Sequence, residues 1–531
     1  MRSRFSINHD IHYTKFTNER ENSQMASSIH VTVNDEFTPP IFQLNHDILG
    51  YIFALNADLE EEQRIWTRGM HPAIVTLRHT SQVCAHWREL VIGSPSLWAR
   101  VLDIDLLCQK KEEWRKEVMR RTGTAPLHFR VCDDRSSWFQ TPETAAAWLL
   151  GEHWTRIRSL DLDFSWYFTR NKDVWLELFQ RPAPSLEVFK FAWPCTEPPG
   201  YLYGPDFVLF SQQAPSLRTL GATNMRLDLT TFPLPNLREL ILHSTVVAAD
   251  LLKALSHMPV LEVLEPKTDR PFRRVRVNQD ASLPTVLLPR LASIKFRVLH
   301  SVDIALSFLE HIIPANSCAL RFEGKYTDEL PGIGSEDLHG RVLSKYSKSS
   351  PELGTNISLE INLAPYRFLF GMNLSYRDRF SFSIESGEGS LPEGSISTLL
   401  SSFTVVRLDT IRKLVLQLDF EAKDSLSPEI TKFIISLVAV EEFQTDPPTL
   451  NSLLHIQGDT TAVIMPSLRT LWIYNIGEQD AYQLVIVADF VNARIKLGSP
   501  VDTLTVLMGR SVMVDVEPLR KLVPGLAVQM L

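Results

Sequence analysis

One short phrase, repeated along most of the chain, constrains the fold more than any other feature. It reads Pro-x-Leu-x-x-Leu, often extended by a further x-Leu or x-Phe. Copies begin at Pro184, Pro215, Pro235, Pro259, Pro289 and Pro466, and Ile157 and Ile411 open copies that lack the proline. Proline ends a preceding helix and starts an extended segment. Apolar residues at alternate positions then point to one side of a short strand. In Leu237 to Leu242 this puts Leu240 and Leu242 inward and Glu239, Ile241 and His243 outward. Stretches such as Ala249 to Met258 carry helical spacing between the strands. A strand-plus-helix unit leaves an apolar face that only a neighbouring unit can cover, so such units stack. The expected fold class is α/β.

From Pro184 to Pro289 the prolines are spaced 31, 20, 24 and 30 residues. This spacing is near the leucine-rich-repeat period, and the phrase resembles that family. The resemblance implies an irregular leucine-rich-repeat-like solenoid over residues 150–531, with parallel strands lining one face. A compact α/β domain with chance Leu-x-x-Leu phrases is the alternative. The asparagine ladder that usually follows the strand is absent, so the turns must be made otherwise. The 177 residues from Pro289 to Pro466 hold only weak copies, broken by Gly/Ser-rich stretches at 332–350 and 387–402, which predicts irregular repeats or large insertions there. The same register places Asp161, Asp163, Lys190, Lys295, Arg297, Trp472 and Tyr474 on the outward side beside Ile241 and His243. Asp161, Lys190, Ile241, His243, Lys295, Trp472 and Tyr474 are the candidate target-binding residues, with the two aromatics foremost because exposed aromatic side chains are common anchors.

The N-terminal part reads differently. Leu44, Ile48, Leu49, Ile52 and Phe53 recur at helical spacing, with Asn45 placed to cap the helix and Asp47 at its positive end. Leu77, Cys84, Trp87, Leu90 and Val91 form a second apolar stripe, and Ser94-Pro95 reads as an N-cap followed by proline at the first helical position, with Trp98 on that short helix. Helices this short must pack on each other and on something else. The ordered combination Leu-x-x-Asp-Ile-Leu-x-x-Ile-Phe, Val-Cys-x-x-Trp-Arg-x-Leu and Ser-Pro-Ser-Leu-Trp resembles the F-box family, in particular F-box proteins of mushroom-forming fungi. Asn45 stands where that family usually has proline, and an acidic insert, Ala54 to Ala73, separates the two halves.

The resemblance implies a substrate receptor of a Skp–cullin–F-box ubiquitin ligase. Its F-box, residues 39–101, would dock a Skp-type adaptor and through it cullin, and its repeats would hold a protein target. The family's adaptor-facing apolar positions map onto Leu44, Ile48, Leu49, Ile52, Phe53, Val83, Cys84, Trp87, Leu97 and Trp98, some of which must instead fill the core of the F-box. Residues 1–38 read as a disordered tail and 102–149 as a helical connector. A scaffold that uses the repeats without any ligase is the alternative.

Composition excludes other classes. The net charge of −8 and pI near 6.0 argue against a general nucleic-acid binder. The basic cluster Arg270 to Arg276 alternates with apolar residues as a solvated strand face would, and Lys110 to Arg121 interleaves with Glu112, Glu113 and Glu117 as an exposed helix does. The apolar run Phe433 to Val440 is too short to span a bilayer, so no membrane partner is expected. Five scattered cysteines without a Cys-x-x-Cys pair favour reduced thiols in the cytoplasm or nucleus, and because residues 1–38 carry no apolar signal-peptide core the sequons at Asn356 and Asn373 are expected to be chance matches. No phosphate loop, nucleophile elbow or His-Glu-x-x-His occurs, and the fifteen histidines show no ligand spacing. Cys84 and His86 fall about 200° apart on a helix and cannot share a metal. No cofactor and no catalytic activity are expected.

Overall fold

The computed structural model describes residues 41, 44–57, 73–107, 112–131, 143–164, 172–194, 202, 207–243, 246–268, 283–299, 302–326, 335–348, 357–374, 377–387, 389–391, 394–402, 408–420, 426–460, 462–476, 481–508 and 517–530. The expected tail of 1–38, the basic cluster 270–276 and Asn356 lie outside them. The chain divides into two compact units, Met1–Ile52 and Phe53–Leu531.

The second unit is mixed α/β, and its described residues build one 17-stranded, mostly parallel sheet. Seven strands join in chain order, each parallel to the last: Leu102–Asp103, Leu127–Val131, Ile157–Asp163, Val188–Ala192, Thr219–Thr223, Glu239–His243 and Val263–Thr268. Ser293–Val298 and Ala319–Tyr326 continue the series. After an insertion, Lys413–Leu418, Glu442–Thr445, Thr470–Ile476, Thr503–Met508 and Gly525–Met530 resume it. The sheet thus starts at Leu102, and the segment 102–149, expected to be a helical connector, supplies its first two strands as well as helices such as Glu112–Arg121.

The repeated phrase forms a turn followed by a ladder. In six copies the leucine two places after the proline donates its N–H to the residue before that proline: Leu186 to Ala183, Leu217 to Ala214, Leu237 to Leu234, Leu261 to Met258, Leu291 to Leu288 and Leu468 to Met465. Proline therefore sits at the second position of a tight turn, where its fixed φ is already correct, and the strand begins a few residues later. These leucines are buried. The residue after each leucine then donates its N–H to the equivalent residue one unit back, as from Arg218 to Glu187 (2.8 Å), Arg238 to Arg218 (2.7 Å), Glu262 to Arg238 (2.7 Å), Ala292 to Glu262 (2.8 Å) and Arg469 to Glu441 (2.9 Å). This backbone ladder ties successive units together where the strands begin, and just after strand Thr219–Thr223 Asn224 Nδ2 donates to Trp193 O at 2.9 Å. A helix does not precede every copy: residues 224–238 run from one strand to the next without one.

Alternate strand residues form the core. Leu160, Leu162, Phe189, Phe191, Leu240, Leu242, Leu471 and Ile473 are all buried. Helices pack beside one another along the array: Val302–Glu310 on Ser335–Lys348, that helix on Ser395–Ser401, and that in turn on Pro428–Ile435. An aromatic cluster of Trp154, Phe164, Trp175, Phe179, Phe189, Phe191 and Phe210 fills the core near residues 154–210, with ring centroids as close as 4.7 Å.

The irregularity expected between Pro289 and Pro466 is a three-stranded antiparallel meander. From Ala319–Tyr326 the chain passes through helix Ser335–Lys348 and enters the sheet at Ile357–Ala364, beside the later strand Lys413–Leu418. Arg367–Leu374 and Arg377–Ser386 then return antiparallel, and the last of them closes against Ala319–Tyr326 in parallel. Phe322 and Phe382 stack across that junction at 5.0 Å.

Candidate functional site

Helix His46–Asn56 begins as the sequence predicts. Asn45 Oδ1 accepts the Asp47 N–H at 2.9 Å, which satisfies one of the helix's free donors. The adaptor-facing candidates on this helix split by exposure. Leu49 and Phe53 are buried and Leu44 is half-buried. Ile48 is 49 % exposed and Ile52 36 %. Tyr51, 66 % exposed, and Leu55, 55 % exposed, complete the same stripe at the i, i+3, i+4, i+7 spacing. The two latter residues were missed by the sequence reading, which followed the face shared with Leu44, Leu49 and Phe53.

Residues 73–101 fold as three short helices, Ala73–Thr80, Ala85–Ile92 and Pro95–Arg100. Cys84 is not inside a helix. It is the N-cap of Ala85–Ile92, its Sγ accepting from the Trp87 N–H at 3.4 Å, so the apolar stripe read from Leu77 to Val91 is broken between two helices. Ser94 precedes Pro95 as expected, but its hydroxyl donates back to Leu90 O rather than capping the next helix. Trp98 is fully buried, with Nε1 donating to Val91 O at 2.9 Å and the Arg121 guanidinium over its ring at 4.5 Å. Leu97 is also buried. Leu49, Phe53, Leu97 and Trp98 therefore serve as core rather than as contact surface. Trp87 is half-buried and meets Phe53 edge-on at 4.9 Å, while Val83 is 61 % exposed.

The candidate target-binding residues lie on the outward side of the sheet. Asp161 pairs in register with Lys190, Lys190 with Gly221, Gly221 with Ile241, and Ile241 with Glu265. Lys295 Nζ reaches Glu265 at 3.6 Å. Asp161, Lys190, Ile241 and Lys295 thus share one row, and His243 lies in the adjacent row. Trp472 belongs to the same row farther on, through the pairs Glu360–Val415, Val415–Gln444 and Gln444–Trp472. Seven strand steps separate Lys295 from Trp472, about 33 Å along the sheet, so the candidates form two groups. Trp472 and Tyr474 are half-buried while Leu471 and Ile473, which alternate with them, are fully buried, in keeping with strand alternation. Burial, with the charges of Asp446 and Glu360, pushes the Tyr474 hydroxyl up to about 12, so at neutral pH it is a hydrogen-bond donor.

Asp161 and Asp163, two carboxylates on one strand face, are separated by Leu162; Asp161 is in register with Lys190 and Asp163 with Ala192. Among the described residues, no group of three His, Cys, Asp or Glu side chains is placed to hold a metal ion, and no helix is long and apolar enough to cross a membrane. Cys84 and Cys318 are free thiols, and burial pushes the Cys318 thiol up to about 12. No known protein family matches the chain, and no curated protein is significantly similar to it.

Proposed function

We propose that this chain is a substrate receptor of a Skp–cullin–F-box ubiquitin ligase, in the cytoplasm or nucleus. On this reading residues 39–101 form the F-box and the turn-and-ladder array is an irregular leucine-rich-repeat-like solenoid whose outward sheet face holds a protein target. The observation that carries it is the stripe of Ile48, Tyr51, Ile52 and Leu55 on helix His46–Asn56. Four large apolar residues exposed at contact spacing on one short helix are costly to leave in water, at about 25 cal/mol per Å² of apolar surface, and suit a protein partner. The first of the ordered F-box phrases runs along that helix, and the other two follow it in the sequence. The open sheet face, with aromatic and charged side chains at alternate positions, suits a target. The receptor itself makes no bond; it raises the effective concentration of target beside the conjugating enzyme.

The test is co-purification of the full chain with a Skp-type adaptor. Wild-type protein is expected to retain the adaptor. Ile48→Asp with Ile52→Asp, both at exposed positions, is expected to lose it without loss of the folded circular dichroism spectrum. Wild-type protein that leaves the adaptor unbound would remove the ligase assignment and favour the scaffold reading.

A further inference from the structure

The outward row of the sheet dips where the antiparallel meander is inserted. In register, Arg321 is followed by Ser381, Ser381 by Gly371, and Gly371 by Glu360. Two successive strands thus present only a hydroxymethyl group and a hydrogen between two long charged side chains. The adjacent row adds Ser383. The result is a cavity of about 400 Å³ open to the outward face, within the range of small-molecule pockets and roomy enough for a side chain with part of its backbone.

Its rim is strongly charged. Arg297, Arg321, Lys325 and Arg367 stand against Glu323, Glu360 and Glu385, four cations against three carboxylates, one positive charge in excess. Glu323 is shared by two of the arginines, at 2.8 Å from Arg321 and 3.7 Å from Arg297, which fixes their guanidinium groups side by side. Lys325 leans to Glu385 at 3.5 Å. Arg367, in register with Glu385, has its Nε enclosed without a hydrogen-bond acceptor. An enclosed donor without an acceptor carries a desolvation cost, which the rest of the Arg367 guanidinium at the rim does not relieve. Planar guanidinium groups pair with carboxylates in a two-pronged way.

We propose that this notch binds an acidic side chain, a carboxylate of Glu or Asp type, on an extended peptide segment lying across the sheet. An excess of one positive charge matches a monoanion. A phosphorylated side chain would bring roughly −1.5 to −2 charges against three resident glutamates. The inference rests on the proposed role of the sheet face as target-binding and adds the chemistry that face selects.

The probe is a fluorescein-labelled hexaglutamate peptide titrated with the full chain by fluorescence anisotropy at low ionic strength. Hexaglutamine and a phosphoserine-containing peptide of equal length serve as comparison arms. Saturable binding of hexaglutamate is expected, absent for hexaglutamine and weakened as salt is raised. Arg321→Glu with Arg367→Glu should weaken it at least tenfold. Gly371→Leu should do the same with every charge retained. A Cβ there meets Glu360 no closer than 3.7 Å, so the backbone tolerates the change while the notch fills. Absence of saturable binding, equal binding by the variants, or tenfold preference for the phosphoserine peptide would each overturn the proposal. The assay contains no adaptor, so loss of the ligase reading and loss of this site are separately visible.

Discussion

Leu240 and Ile241 sit side by side on strand Glu239–His243, carry isomeric side chains, and point to opposite faces of the sheet. Truncation of each to alanine removes the same three carbons, so a difference in cost beyond the few tenths of a kcal/mol that β-branching contributes reports environment. Leu240 is completely buried. At about 0.8 kcal/mol per buried carbon group the lost transfer term is near 2.4 kcal/mol. The cavity left among packed neighbours adds more, which brings Leu240→Ala to about 3–5 kcal/mol. Ile241 is half-exposed on the open face, where water fills the space it leaves. Only part of the transfer term is lost, and Ile241→Ala should cost about 1 kcal/mol or less. Urea unfolding followed by circular dichroism gives the comparison directly, provided the slope of the transition is unchanged in both variants. Equal costs, or a larger cost for Ile241→Ala, would show that the strand register and with it the whole outward row has been read from the wrong side.

Two further results are expected. Arg494, buried in helix Ala481–Lys496, donates to Ile464 O at 2.8 Å and Met465 O at 3.1 Å, and holds the left-handed turn at Met465 (φ 49°). Arg494→Met should destabilise by about 2 kcal/mol or more by removing the charged donor to Ile464 O and one of two donors to Met465 O, which keeps the Leu468 N–H, and a more stable variant in the same urea assay would mean that burial of the charge outweighs its bonds. Cys318 has its pKa raised by burial from 9.0 to about 12, so the folded state keeps its proton while an unfolded chain loses it. Its contribution to stability is full below the unfolded value and is lost as pH rises from about 9 towards 12. Peptide mapping after iodoacetamide treatment near pH 8 should find native Cys318 unlabelled and half-exposed Cys84 labelled, and labelled native Cys318 would contradict its burial.

Much of the repeat array is legible in the chain because its signal is local. The proline, the leucine two places on and the alternating apolar residues each act within a few residues, and the turn and the buried side chains follow from them. The direction of pairing is not local. Phe380-Ser381-Phe382-Ser383-Ile384 alternates as a strand should, yet nothing in that pattern says that it runs back to Ala319–Tyr326 rather than onward. Exposure on helix His46–Asn56 was hard to read for a similar reason. The residues from Leu44 to Leu55 are apolar on two adjoining faces, and periodicity marks apolar faces without saying which is covered. Cys84 misled because a thiol on an apolar stripe reads as packing, while its position after Ser81-Gln82-Val83 makes it a cap. The acid-selecting notch had no sequence signature at all, since its floor and rim come from five strands between residues 293 and 386.

The meander explains how a break in a repeat array can be accommodated and put to use. Its neighbours on both sides, Ala319–Tyr326 and Lys413–Leu418, run in the same direction. Three antiparallel strands present an outer strand of that direction to each neighbour, whereas a two-stranded hairpin would turn one of its edges the wrong way. Three strands can therefore replace one repeat strand while the ladder of parallel pairs is kept at both borders. The buried side is kept as well: Phe368, Phe370, Phe380, Phe382, Leu359 and Ile361 continue the row of core side chains without a gap. The outward side is freed from the repeat, since the leucine phrase no longer sets what stands opposite the core. Gly371, Ser381 and Ser383 occupy those positions, and the notch forms there. Departures from local rules in an otherwise consistent chain concentrate where function is served, and here the departure and the charged cavity coincide on the same strands.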